Sequence, residues 1–216
     1  MKNNSALVVF SGGQDSTTCL FWAKQKFTHT EALAFNYGQR HVSELEAATK
    51  IADLANVPFR IMELPLLNSL TTNSLTRKDI EIDKQPGAST PNTLVEGRNM
   101  LFLTYAAIYA KSKGINNLVT GVSQTDFSGY PDCRDNFIRS INLTLNLAMD
   151  YTFVIHTPLM FLTKCETWEL AEKLGAFDIV KNQTVTCYQG IAGAGCGECP
   201  SCQLRQKGLD EYYKLK

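Results

Sequence analysis

Short apolar runs alternate along this chain with longer stretches in which apolar residues recur every third or fourth position, the periods of strands and of helices in turn. The runs at 6–10, 31–36, 58–64, 117–121 and 152–156 read as strands, and 15–26, 40–55, 98–113, 134–149 and 163–174 read as helices. This order predicts an α/β fold: an open parallel five-stranded sheet with helices on both faces, every crossover carrying a helix. Gly114 and Gly175 stand at helix exits, where left-handed backbone is needed. Ligands in open parallel sheets bind at the carboxyl ends of the strands where strand order reverses, so the loops after the first strand and after 117–121 should face each other across the site.

The loop after the first strand carries the chemistry. Phe10 leads into Ser11, Gly12, Gly13, Gln14, Asp15 and Ser16, followed by Thr17 and Thr18 at the helix start. Adjacent glycines let consecutive amides turn toward one anion, the hydroxyls add donors, and the helix contributes unpaired N–H groups with the positive end of its dipole. Asp15 is the odd member, because a carboxylate repels phosphate unless a divalent cation lies between them; this assigns it a role linked to Mg2+, directly or through water. The loop has neither the spacing nor the lysine of a Walker A motif, and G-x-G-x-x-G is missing too. It resembles the PP-loop of the N-type ATP pyrophosphatases, which implies AMP-forming chemistry with pyrophosphate resting in the glycine loop.

Two further segments depart from the alternation. From about 65 to 97 the chain is rich in Asn, Ser and Thr with clustered charges, and it reads as an insertion that is either a lid or disordered. Near the end, Cys187, Cys196, Cys199 and Cys202 form a C-x8-C-x2-C-x2-C array with glycines at 190, 193, 195 and 197. Four soft ligands make a structural tetrahedral zinc site the leading reading, with an iron–sulfur cluster or a disulfide pair as alternatives. A helix is expected from Gln203 to Lys214. The domain plan is thus an ATP-binding α/β unit at 1–180 with the insertion at 65–97, and a zinc-binding extension at 181–216. Cys19 and Cys165 read as core, and His29, His41 and His156 show no catalytic spacing.

The loop from Gly121 to Arg134 places Asp126, Phe127, Tyr130, Asp132 and Arg134 between a strand and a helix. A guanine-like base offers N–H donors at N1 and the 2-amine, so Asp132 or Asp126 can accept both while Tyr130 or Phe127 stacks. The plainer alternative is that Asp132 caps the next helix and Tyr130 packs in the core.

Composition narrows the partners. With 21 Lys plus Arg against 21 Asp plus Glu, the 216-residue chain has no basic field to attract nucleic acid or an anionic membrane. No signal-peptide h-region or run of membrane-spanning length is visible, so a cytoplasmic protein is expected, with a homodimer as the default assembly.

Taken together, SGGQDS at 11–16, GRN at 97–99, SGYPDCR at 128–134, TKCE at 163–166 and CGECPSC at 196–202 resemble the 7-cyano-7-deazaguanine synthase family of queuosine biosynthesis, over essentially the whole chain. Glu96 stands where the family pattern has proline before GRN. The resemblance implies an adenine nucleotide alpha hydrolase-like fold, and ATP, 7-carboxy-7-deazaguanine and ammonia as substrates. It also implies Mg2+ accompanying ATP, and phosphate contacts from Ser11 to Ser16. Lys164 and Arg98 are further candidates for phosphate contact, each alternatively a solvated or lid-anchoring cation. Catalytic roles fall on Asp15, Ser16 and Lys164. The rivals are another PP-loop enzyme, a tRNA thiolase or amide synthetase, and a zinc-ribbon binding module.

Overall fold

A computed structural model describes residues 4–70, 72–77, 79–83, 91–125 and 130–216. Five parallel strands, β1 (Ser5–Val9), β2 (His29–Asn36), β3 (Phe59–Glu63), β4 (Asn117–Val119) and β5 (Val154–His156), form one sheet in the order β3-β2-β1-β4-β5. The expected sheet is present, with its order reversing between β1 and β4. Along β1 the pleat sends Leu7 and Val9 to one face and Ala6 and Val8 to the other, so each face receives its own apolar layer.

Helices α1 (Gln14–Lys26) and α2 (Ser43–Leu54) cover the second of these faces, and α4 (Arg98–Ser112) and α5 (Asp135–Met149) cover the first. The short α3 (Leu66–Leu70) follows β3. The chain ends in α6 (Lys164–Lys173), α7 (Phe177–Gln183) and α8 (Pro200–Lys214), which share a small core around the fully buried Trp168.

Several boundaries differ from those read in the sequence. The 40–55 stretch becomes helical only at Ser43, and a 3-10 turn at Pro131–Cys133 precedes α5. The run at 117–121 leaves the sheet after Val119, because Gly121 must turn aside to let α1 approach: a Cβ there would lie 2.9 Å from the carbonyl carbon of Asp15 and the amide of Ser16. The helix expected from Gln203 starts earlier, with Cys199 at its N-cap and Pro200 in its first turn. Helices α3 and α7, of five and seven residues, are too short to show a period in the sequence.

The described part of the 65–97 insertion is tied down by polar contacts rather than by an apolar core of its own. Asn73 and Ser74 are buried, the Ser74 amide donates to the Asn92 carbonyl at 2.9 Å, and the Asn92 side chain donates to the Glu81 carbonyl at 2.9 Å. The Arg40 amide donates to the Leu75 carbonyl at 2.8 Å, joining the insertion to the loop before α2.

Candidate active site

The loop after β1 is built by packing. Gly12 has φ +78° and sits so close to α2 that a Cβ would lie 2.7 Å from the Ala48 amide nitrogen and 2.8 Å from the Glu44 carbonyl oxygen. Only glycine meets both demands. Beyond it, the Ser11 amide donates to Ser16 Oγ at 3.2 Å, the two serine hydroxyls lie 3.1 Å apart, and Gly13 serves as N-cap of α1 without a side-chain cap. The helix end thus keeps its electropositive face toward the cavity.

That cavity, about 480 Å³, opens between the loops after β1 and β4. Of the residues expected to hold ATP, it gathers Phe10, Ser11, Gly13, Gln14, Asp15, Ser16 and Arg98, together with Lys164. Gly12, Thr17 and Thr18 stand behind the lining: Gly12 faces α2, Thr17 is fully buried, and Thr18 Oγ1 donates back to the Gln14 carbonyl at 2.9 Å.

Lys164 reaches the loop from the opposite wall. Its Nζ donates to both carboxylate oxygens of Asp15, at 2.8 and 2.7 Å, and its side chain is only 8% exposed. The lysine occupies the first turn of α6, whose start is fixed by a capping box: Thr163 Oγ1 accepts from the Glu166 amide at 3.2 Å while Glu166 accepts from the Thr163 amide at 2.8 Å. Behind it lies Gly208 of α8, where a Cβ would come within 2.4 Å of Lys164 Cβ. An opposite charge in this position lets Asp15 stand beside a phosphate without repelling it.

Arg98 opens α4 on the far side of the cavity. Its Nη1 donates to the Tyr37 hydroxyl at 3.4 Å, and its guanidinium lies 6.0 Å from the Tyr37 ring centroid. Burial works against its charge, but Tyr37 and Asp132 outweigh that and hold its pKa up. Burial pushes the Tyr37 phenol up and the Glu44 carboxyl up to about 7, with Arg98 opposing in both cases.

The proposed base-reading residues separate. Tyr130 lines the cavity and its hydroxyl is 2.5 Å from Thr93 Oγ1, a contact with the insertion. Asp132 caps a helix, though α4 rather than the α5 that follows it in sequence: Oδ2 accepts from the Asn99 amide at 3.2 Å. Asp132 and Arg134 are not among the lining residues, and Arg134 is exposed at the N-cap of α5. Asp126 and Phe127 lie outside the described residues.

The four C-terminal cysteines converge. All four Sγ atoms of Cys187, Cys196, Cys199 and Cys202 lie within 4.8 Å of one another, and every cysteine is a free thiol. A tetrahedral ion with bonds of about 2.3 Å needs sulfurs roughly 3.8 Å apart, so the set fits one metal ion. The amides of Glu198 and Cys199 donate to Cys196 Sγ at 3.4 and 3.3 Å, contacts that favour its thiolate, and the amide of Gln189 donates to Cys187 Sγ at 3.3 Å. At Gly195, φ +73°, a Cβ would come within 2.3 Å of Cys202 Sγ.

This knot is fastened to the phosphate loop by residues the sequence did not single out. The Val185 amide donates to the Gly12 carbonyl at 3.1 Å, and Thr186 Oγ1 accepts from the Gln14 amide at 3.0 Å. Buried Arg205 organises both threonines before the knot, donating to Thr184 Oγ1 at 2.7 Å, Thr186 Oγ1 at 3.1 Å and the carbonyls of Val180 and Lys181. Ser43 Oγ, one residue before Glu44, donates to the Gly190 carbonyl at 2.9 Å. An arginine on a C-terminal helix gives no sequence signal of burial; Glu44 was equally silent, sitting in a helix turn where acids are ordinary.

Comparison with known proteins adds a family match. The model of the family described as "Queuosine biosynthesis protein QueC" matches residues 5–213. The chain is 59% identical over 216 residues, all of its length and 98% of the relative's, to a 7-cyano-7-deazaguanine synthase of Clostridium novyi. Among solved structures it is similar to an NH3-dependent NAD synthetase from Campylobacter jejuni, with TM-score 0.51 and 17% identity over 84% of this chain and 69% of that one. It is also similar to the U34-tRNA thiolase NcsA of Methanococcus maripaludis with its [4Fe-4S] cluster, with TM-score 0.50 and 12% identity over 100% and 75% of the two chains. These two share the fold. No helix among the described residues is long and apolar enough to cross a membrane.

Proposed function

This chain belongs to the queuosine biosynthesis protein QueC family, and we propose that it is a ligase converting 7-carboxy-7-deazaguanine, ammonia and ATP into 7-cyano-7-deazaguanine. The observation that carries this reading is the convergence of the glycine loop, the Asp15–Lys164 pair and Arg98 on one cavity. A carboxylate is a poor electrophile because its leaving group is oxide. Transfer of the adenylyl group of ATP to that oxygen converts it into AMP, and ammonia then forms an amide. Adenylation of the amide oxygen and loss of AMP leave the nitrile, so one site performs both halves with two ATP. The residues supply position and charge. Ser11, Gly13 and Ser16 hold the departing pyrophosphate at the start of α1, Lys164 and Arg98 offset its charge, and Asp15 bears on the Mg2+ that accompanies ATP.

Tyr130 is the stacking candidate for the deazaguanine, with a carboxylate from Asp126 or Asp132 for its N–H edge. Arg134 completes this set on the strength of the family motif alone. The 65–97 insertion is read as a lid, tied at Thr93 to Tyr130. The cysteine site is read as structural zinc in an extension at 181–216, because four thiolates around one ion leave no open coordination position; when bound, the ion supplies a fixed cross-link. A cytoplasmic homodimer completes the reading; Leu143 and Leu147, one turn apart on α5, are 60% and 75% exposed, and light scattering measures the assembly.

The test is incubation with 7-carboxy-7-deazaguanine, ammonium and MgATP, with mass detection of the nitrile. AMP and pyrophosphate should accumulate, two of each per nitrile. ADP in their place, or no nitrile, would refute the assignment.

A further inference from the structure

Among the described residues three acidic side chains line the cavity, and two of them are accounted for. Asp15 is held by Lys164 at 2.7 Å, and Asp83 is exposed to solvent. Glu44 is different. It sits partly buried in the first turn of α2, lines the same cavity as the glycine loop, and makes no hydrogen bond or ion pair among the described residues. Its backbone is pressed on Gly12, and the neighbouring Ser43 is anchored to Gly190, so its place beside the phosphate loop is fixed from two directions. A partly buried carboxylate that opens on a cavity without a hydrogen-bond partner is free to take a ligand there.

The surroundings specify what Glu44 accepts. The charged and titratable groups that act on it are Arg98 of α4, which faces it without bonding it, and the Tyr37 phenol; Tyr130, Tyr188 and the Asp15–Lys164 pair line the same cavity. Two of the substrates bring anionic groups, the triphosphate and the carboxylate, and a second anion repels them. Of the cations the reaction brings, Mg2+ travels with the triphosphate and is assigned to Asp15 at the glycine loop, which leaves ammonium, small enough to share the space and rich in N–H donors, for Glu44. Burial also keeps the carboxyl's affinity for a proton close to neutrality, which suits a base working at neutral pH.

Resting on the ligase reading above, we infer that Glu44 binds ammonium beside the adenylated substrate and takes the proton that frees its lone pair. The nitrogen then forms the C–N bond at the acyl carbon, and the C–O bond to AMP breaks with AMP carrying away the oxygen and the electron pair. Ammonium loses two protons on becoming the amide nitrogen, one to Glu44 and one to solvent.

The experiment compares wild type and Glu44→Gln in three assays. The first is substrate-dependent exchange of pyrophosphate into ATP, which reports adenylation alone. The second is nitrile formation with ammonium, and the third is hydroxamate formation with hydroxylamine, a nucleophile already uncharged at neutral pH. Glu44→Gln should keep exchange and hydroxamate formation within about threefold of wild type and lose ammonium-dependent turnover by about 100-fold or more. The inference falls if ammonium turnover survives, or if exchange or hydroxamate formation falls as far as nitrile formation does. Absence of exchange in the wild type would instead strike at the ligase reading itself.

Discussion

Asp15 and Glu44 show how position, more than residue type, sets the task of a carboxylate. Asp15 is neutralised by a lysine that is itself only 8% exposed, so the pair behaves as a unit. Asp15→Asn should cut AMP formation by about 100-fold or more and cost roughly 1–3 kcal/mol of stability, read by product assay and by urea denaturation. Unchanged turnover would remove Asp15 from the phosphate machinery. Glu44 has the opposite sign. Its folded pKa is about 7 against an ordinary 4.5, so the folded state binds its proton more tightly and stability drains away as pH rises between those values. Glu44→Gln should therefore be more stable than wild type above about pH 7, by up to about 3 kcal/mol, and equal to it in acid below both values. Thermal melts across that range check this, and a stabilised but inactive variant is the mark of a group kept for function.

At the scale of elements, close helix contacts hold the reacting side chains. Gly208 leaves no room for a side chain where α8 crosses the first turn of α6, and the contact it permits backs Lys164 toward Asp15. Gly208→Ala should cost about 1–3 kcal/mol through overpacking and reduce adenylation more than a surface change of equal stability cost. A variant with normal stability and activity would show that α8 does not position the lysine. The elements themselves were legible where a period had length to express itself: β1, α1, α4 and α5 follow from alternation alone. The glycine loop was legible as well, because its residue types have few other uses. What stayed hidden depends on contact across the chain. Asp132 caps α4 instead of α5, Arg205 is buried by α6 and α7, and Glu44 meets the site only because Gly12 lets α2 come near. None of these pairings leaves a mark in local sequence.

Across the whole molecule, the cysteine knot and the phosphate loop are parts of one construction. Cys187 follows directly on Val185 and Thr186, which bond Gly12 and Gln14, and Arg205 stands one turn beyond Cys202 on α8. On the proposal that the four thiolates hold one metal ion, its loss should reach the chemistry as well as the fold. Cys199→Ser, or treatment with a strong chelator, is expected to remove one metal ion per chain, lower the melting temperature and depress adenylation together. Metal analysis alongside both assays checks this, and activity that outlives the metal would separate the two regions.

The central claim is that the two oxygens of the substrate carboxylate receive an adenylyl group one after the other, above the glycine loop. Substrate carrying 18O in both carboxylate positions tests it most directly, with mass spectrometry of every product. The account predicts label in each AMP released, one atom per molecule, and none in pyrophosphate. Label in pyrophosphate or phosphate, or AMP free of it, would contradict the account.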